Sequence, residues 1–391
     1  MTDLRSPRTP RSVPGLDQDR SSALVPVLLP ILMIPALVST ALSCAPSTSP
    51  AASTPAPSAP GAPGAPSSQT AAPAPSSGAA AAADPRFDAE LTAYPYPFPV
   101  RFLDIASQQQ TVRMAYMDVA ADQPNGHTVV LLHGKNFPAS TWEPTIRLLT
   151  GRGYRVIAPD QIGFGKSSKP AHYQYSFAQL ATNTAAVLDA AGATKVSVVG
   201  HSMGGMLATR FALMFSDRIE KLVLVNPLGL EDWKTVVPYR TIDQWYEQEK
   251  KATPESVRAY QRNSYYGGNW KPEYERLIET AIGVLGQSDH PKVAWASALT
   301  YDMIFNQPVV YEFGNLKVPA LLIIGQRDRT ALGKAGLSKE LAATLGNYPV
   351  LGKAAAAAIP GAKLVEIPGV GHLPQVEAFD AYAQALTQFL P

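Results

Sequence analysis

The sequence predicts an α/β fold: a mostly parallel, eight-stranded sheet covered by helices on both faces, with a helical insertion after the sixth strand. Three observations predict it. Short apolar runs ended by Gly, Asp or Pro alternate with amphipathic stretches of helical length. The runs are solidly apolar rather than alternating, as strands buried on both faces must be. One interval, residues 229–317, holds several helical patterns and no convincing strand.

The elements follow in order. YPYPFPVRFLDI and QTVRMAYMDVA, after Ala93, read as two short strands of a meander, with alternation at Val112, Met114 and Tyr116. HTVVLLHG (127–134) is a buried strand, and STWEPTIRLLTGRG (140–153) a helix with Ser140 or Thr141 as its cap. YRVIAPD (154–160), KVSVVG (195–200) and KLVLVNP (221–227) are strands, separated by the helices SFAQLATNTAAVLDAAG and MGGMLATRFALMF. ALLIIGQRD (320–328) and AKLVEIPG (362–369) complete the sheet, and EAFDAYAQALTQFL is a terminal helix. The folding part then divides into a core, 86–228 and 318–391, and a helical cap, 229–317. Roughly 300 residues suit one such domain.

The first 85 residues do not belong to it. Nineteen of the 36 prolines fall within the first 100 positions, and no charge occurs from Ser21 to Ala83. Four arginines precede an apolar stretch over 21–43, which reads as a signal segment, 1–43. The stretch ends Ala-Leu-Ser-Cys, which resembles a bacterial lipobox and makes Cys44 the expected lipidation site. An ordinary cleaved signal and an uncleaved anchor are the other readings, and a start further downstream fits the long leading segment. All of them place the protein outside the cytoplasm, in the periplasm or at the cell surface. Residues 44–85, rich in Ala, Pro and Ser, read as a disordered tether. The single cysteine excludes an internal disulfide and a cysteine-based metal site. A net charge of +2, with scattered Lys and Arg, gives no face for nucleic acid.

The chemistry concentrates in GHSMG (200–204), a G-x-S-x-G between a strand and a helix. A tight turn there lifts Ser202 above the sheet edge, with the helix N-terminus behind it. A serine nucleophile needs a base and an orienting acid. His372, in PGVGHLP after the last strand, is the candidate base. Asp328, at the end of LIIGQRD, is the candidate acid. Glu377 sits too close along the chain to His372, Asn226 is no acid, and Asp160 is expected to shape the loop DQIGFGKSS. The backbone N–H groups of Met203 and Lys135 are the candidate oxyanion donors. His133 is expected to hold its own loop.

LLHGKN, PDQIGFGKSSKP, GHSMGG, IIGQRD and GVGH, in this order, resemble the α/β-hydrolase superfamily over residues 95–391. Asn136 departs from the family's H-G-x-P form, and the stretch between Asp328 and His372 is long, so a loop or short helix near the site mouth is expected. The resemblance implies an acyl-enzyme on Ser202, since relatives that open epoxides use an aspartate. A carboxylic ester with an apolar group is the first substrate class. Cleavage of a C–C bond or a peptide-type bond on the same triad is the alternative, and a non-catalytic binding protein a third. No metal or organic cofactor is implied; the expected partner is a small-molecule substrate, with the membrane engaged through Cys44. The cap holds Trp233, Trp245, Trp270 and Trp295, which either face an apolar pocket or pack the cap helices.

Overall fold

The computed structural model describes residues 84–391; the expected signal segment, Cys44 and nearly all of the expected tether lie outside them. Its sheet has eight strands: β1 (Val100–Ser107), β2 (Gln110–Val119), β3 (Thr128–Leu132), β4 (Arg155–Pro159), β5 (Val196–His201), β6 (Ile219–Val225), β7 (Ala320–Gly325) and β8 (Lys363–Ile367). Their order is β1-β2-β4-β3-β5-β6-β7-β8. β2 is antiparallel to both β1 and β4, and every pairing from β4 to β8 is parallel.

The period of two along each strand divides the core. Val130, Leu132 and Val198 point into a cluster with Leu180 and Phe211, from α2 (Phe177–Ala190) and α3 (Met203–Met214). Val129, Leu131 and Val199 point to the opposite face, against Ile146 and Leu386. Those two come from α1 (Glu143–Thr150) and the last helix. Both faces are thereby covered, which is why the strand sequences carry so few polar residues.

Between β6 and β7 the chain forms four further helices: α4 (Ile242–Lys250), α5 (Pro254–Ser264), α6 (Glu275–Gly283) and α7 (His290–Asn306). α4 and α5 start at capping boxes, Thr241 with Gln244 and Thr253 with Ser256. The first described residues strap this insertion. Phe87 packs against Gly283, and Ala89 N–H donates to Asp289 at 2.8 Å.

Two local expectations change, and one, the short helix after Asp328, is met with a second helix added. The stretch from Ser140 does not enter an α-helix at once: Ala139–Trp142 is a 3-10 turn, no side chain caps α1, and the helix proper starts at Glu143 with Pro144 behind it. The long stretch after Asp328 becomes a short helix, α8 (Lys339–Thr344), and the ordinary covering helix α9 (Tyr348–Ala358). The terminal helix is two: α10 (Pro374–Glu377) and α11 (Phe379–Phe389), broken at Ala378 with φ −142° and ψ 59°.

Asp160 does organise the loop after β4. Its buried carboxylate accepts from Ala139 N–H at 2.7 Å, Lys166 N–H at 2.8 Å and the Tyr96 hydroxyl at 2.7 Å. Removing a buried acceptor strands its donors. Asp160→Ala is expected to lower the unfolding free energy by about 3 kcal/mol. Urea denaturation measures it, with exposed Asp122→Ala as the control expected to stay within about 0.5 kcal/mol.

Candidate active site

β5 delivers the serine. Its last residue is His201, and Met203 opens α3, so Ser202 alone makes the turn. Its backbone sits at φ 57° and ψ −121°, a conformation that L-residues rarely adopt. The turn is possible because Gly200 and Gly204 bring backbone into contact. A Cβ on Gly200 would lie 2.2 Å from the carbonyl oxygen of Gly204, and one on Gly204 would lie 2.1 Å from that of Leu132.

The three sequence-predicted side chains meet here. His372 Nδ1 lies 2.6 Å from Asp328 Oδ2. Its Nε2 lies 2.9 Å from Ser202 Oγ. A carboxylate only accepts, so Nδ1–H donates to Asp328, and Nε2 is left as acceptor for the serine hydroxyl. Asp328 and His372 are fully buried and Ser202 is 4% exposed. Burial pushes the Asp328 carboxyl up. The charge of His372 and hydrogen bonds from His372, Thr330 and Asn226 outweigh it and hold the group below the ordinary carboxylate range.

Of the two predicted oxyanion donors, Met203 adjoins the serine in the chain and Lys135 follows a glycine that packs against it. Gly134, just before Lys135, packs so closely that a Cβ there would be 3.1 Å from Ser202 Cβ. His133 fixes that loop: its Nδ1–H donates to Gly134 O at 2.8 Å, and its Nε2 accepts from Gln161 N–H at 3.0 Å.

The structure adds residues that sequence reasoning passed over. Asn226, set aside there because it is no acid, donates from Nδ2 to Asp328 Oδ2 at 2.7 Å and accepts from Gly325 N–H at 2.7 Å. His201 donates from Nε2 to the His372 carbonyl at 2.9 Å. Glu377 accepts from Gly371 N–H at 2.8 Å and pairs with Arg327. Asn226 had a visible signal, a polar residue closing an apolar strand. Glu377, set aside as too close to His372, acts through that closeness, six positions from Gly371, whereas His201 acts through a long-range contact that leaves no local pattern.

A chamber of about 1000 Å³ lies between the insertion and the core. It is lined by both apolar and charged side chains, among them Phe137, Phe164, Leu285, Lys135, Arg240 and Glu249. None of the four cap tryptophans lines it, which favours the packing reading: Trp245 stacks on Tyr301 and Trp295 donates to Ala171 O. Ser202, Asp328 and His372 do not line it either. Lys135 Nζ donates to Ser297 Oγ at 2.6 Å and lies 3.5 Å from the Tyr301 ring centroid. Ser297 in turn donates to Glu249 at 2.6 Å. Burial brings the Lys135 ammonium down to about 8, against the pull of Glu249. Among the described residues, no group of three His, Cys, Asp or Glu side chains is placed to hold a metal ion.

His201 gives a pH-dependent prediction. Burial, and then the neighbouring His372, bring its pKa from 6.5 down to about 3. The unfolded chain therefore binds a proton that the folded one refuses between these values. The stability that neutral His201 contributes is complete above pH 6.5 and lost as pH falls toward 3. His201→Gln keeps a side-chain donor and removes this titration. The stability difference, wild type minus variant, is expected to shrink by about 1.4 kcal/mol for each pH unit between 6.5 and about 3. Denaturant titrations at pH 7.5, 5.5 and 4.5 measure it; a difference that stays constant would contradict the assignment.

Comparison with known proteins bears on this site. Residues 129–385, well over half of the chain, match the model of the alpha/beta hydrolase family. A probable hydrolytic enzyme from Pseudomonas aeruginosa PAO1 is 54% identical, with 78% of this chain and 98% of that one covered and a TM-score of 0.77. The 2-hydroxymuconate semialdehyde hydrolase of Pseudomonas putida is 40% identical over 111 residues, 28% of this chain and 39% of that protein. Epoxide hydrolase B of Mycobacterium tuberculosis is 43% identical over 115 residues, 29% of this chain and 32% of that protein. The aligned part thus spans less than half of either of these two relatives. By its match to the family model and its likeness to the Pseudomonas aeruginosa enzyme, the chain belongs to the α/β-hydrolase family.

Proposed function

We propose that the protein is a serine hydrolase working through an acyl-enzyme on Ser202, with a carboxylic ester carrying an apolar group as substrate. One observation carries the reading: the hydrogen-bonded chain Ser202–His372–Asp328, set on a strained strand-to-helix turn. Ser202 Oγ attacks the ester carbonyl as its proton passes to His372 Nε2. The oxyanion is held by the N–H groups of Met203 and Lys135. The imidazolium then protonates the departing alkoxide, the C–O bond breaks, and the acyl group stays on Ser202. A water, deprotonated by His372, releases the acid and restores the serine. Asp328 keeps the imidazole in the tautomer this needs, and Asn226 keeps Asp328 aimed. These steps use no metal and no organic cofactor.

The apolar part of the chamber wall, including Phe137, Phe164 and Leu285, supports an apolar group on the substrate. Serine rather than aspartate at position 202 argues against epoxide opening, despite the likeness to an epoxide hydrolase. Cleavage of a C–C bond beside a ketone is the second reading. The likeness to a 2-hydroxymuconate semialdehyde hydrolase favours it over peptide-type bonds.

Full-length protein assayed with p-nitrophenyl esters of increasing acyl length is expected to give a nitrophenol burst. Ser202→Ala should lower turnover by about 10⁴-fold or more. No ester turnover, with Ser202 still labelled by a fluorophosphonate, would move the substrate class to C–C or peptide-type bonds. Loss of both would leave a binding protein. Lipid attachment at Cys44 belongs to the same proposal. Cys44→Ser is expected to abolish incorporation of labelled fatty acid into the protein, and unchanged labelling would count against a lipid anchor at Cys44.

A further inference from the structure

We propose that Tyr265, which follows α5 in the insertion, is a positioning residue for His372. The inference rests on His372 being the base that deprotonates Ser202. Two contacts carry it, the ring stack and a backbone hydrogen bond, and a third ties the residue to the loop after β3. The Tyr265 ring stacks on the imidazole, with centroids 4.6 Å apart and planes at 26°. Its carbonyl accepts the His372 backbone N–H at 3.0 Å. Its hydroxyl accepts from Asn136 Nδ2 at 2.7 Å, one residue from Lys135. The chain has no slack here: a Cβ on Gly371 would lie 1.9 Å from the Tyr265 carbonyl oxygen.

The arrangement removes the freedom that the hydrogen bonds to His372 leave. Nδ1 and Nε2 are both engaged in the ring plane, so tilting out of that plane is the remaining motion. A stacked ring opposes this tilt on one face, while His201 and Tyr348 meet the imidazole at 5.0 and 6.3 Å between centroids. Proton transfer from Ser202 also turns the imidazole into a cation lying on a π face, and that contact is attractive. The brace is therefore strongest when His372 holds the proton, which is the condition for an effect on rate rather than on binding. Tyr260 packs edge-on to Tyr265 at 5.3 Å and itself lines the chamber. The insertion thus reaches the base through two aromatic rings, although the base does not line the chamber.

The test uses full-length protein with Tyr265→Leu, which removes the π face, and Tyr265→Phe, which keeps it. Readouts are the rate of acylation at Ser202, by nitrophenol burst or fluorophosphonate labelling, the KM, the low-field proton resonance of His372 Nδ1–H, and thermal melting. Tyr265→Leu is expected to slow acylation about 10- to 100-fold with KM moved less than about threefold, and to broaden the low-field resonance. Tyr265→Phe is expected to stay within about threefold of wild type, with a sharp resonance. A leucine variant that acylates at the wild-type rate overturns the proposal. So does a natively melting phenylalanine variant slowed about tenfold or more, which would assign the effect to the hydroxyl; this arm decides the matter if the leucine variant fails to fold. A wild type unlabelled at Ser202 sinks the serine-hydrolase reading instead. The low-field resonance needs no substrate and still reports on the brace in that case.

Discussion

The strained backbone at Ser202 is the constraint on which the rest of the site depends. A residue at φ 57° and ψ −121° costs about 1–3 kcal/mol, so its surroundings must leave no alternative. They do so from both sides. Ser202 N–H donates to Val225 O at 3.2 Å, which ties the turn to the neighbouring strand β6. Ser202 O accepts from Gly205 and Leu228 N–H groups at 2.9 and 3.0 Å. The close contacts of Gly200 and Gly204 press α3 against β5 and β3. With the turn fixed, Ser202 stands above the carboxyl ends of the parallel strands, and the hydrogen bond to His372 selects the position of its Oγ.

The imidazole must come to that place from the far end of the chain, and backbone contacts bring it there. The His372 carbonyl is held by His201, its N–H by Tyr265, and the preceding Gly371 N–H by Glu377. Each of the three comes from a different element: the end of β5, the insertion and α10. A buried carboxylate such as Asp328 is tolerable only when its lone pairs are occupied. His372, Asn226 and the Thr330 N–H occupy them, at 2.6, 2.7 and 2.8 Å. The donors that keep Asp328 ionised are thus the ones that aim it.

Much of this was legible in the sequence, and the boundary is a physical one. Strands buried on both faces write themselves as apolar runs, so β3 to β7 stand out. Ser202 and Asp328 stand out because each follows such a run closely, and His372 because it sits in the loop after the less buried β8. Contacts made at long range leave no such trace. Asn226 lies 102 positions from Asp328 and His201 lies 171 from His372, and neither pairing has a local period. Tyr265 is one aromatic among many in a helical insertion, and only the fold selects it. The helix boundaries misread at Ser140 and Ala378 are places where tertiary packing, not capping side chains, sets the break.

Closure and access oppose each other in this architecture. A dry triad strengthens every charge interaction within it, and Asp328 and His372 are fully buried. The chamber under the insertion stops one contact short of them. Lys135 lines it and adjoins Gly134, which packs on Ser202; Tyr260 lines it and packs on Tyr265, which covers His372. Two hydrogen bonds hold this boundary from the insertion side: Ser297 with Lys135, and the Tyr265 hydroxyl with Asn136. Both reach the loop that carries the proposed oxyanion donor. The contacts that separate the chamber from the triad are therefore made between the insertion and the loop after β3, the loop whose Gly134 packs on Ser202.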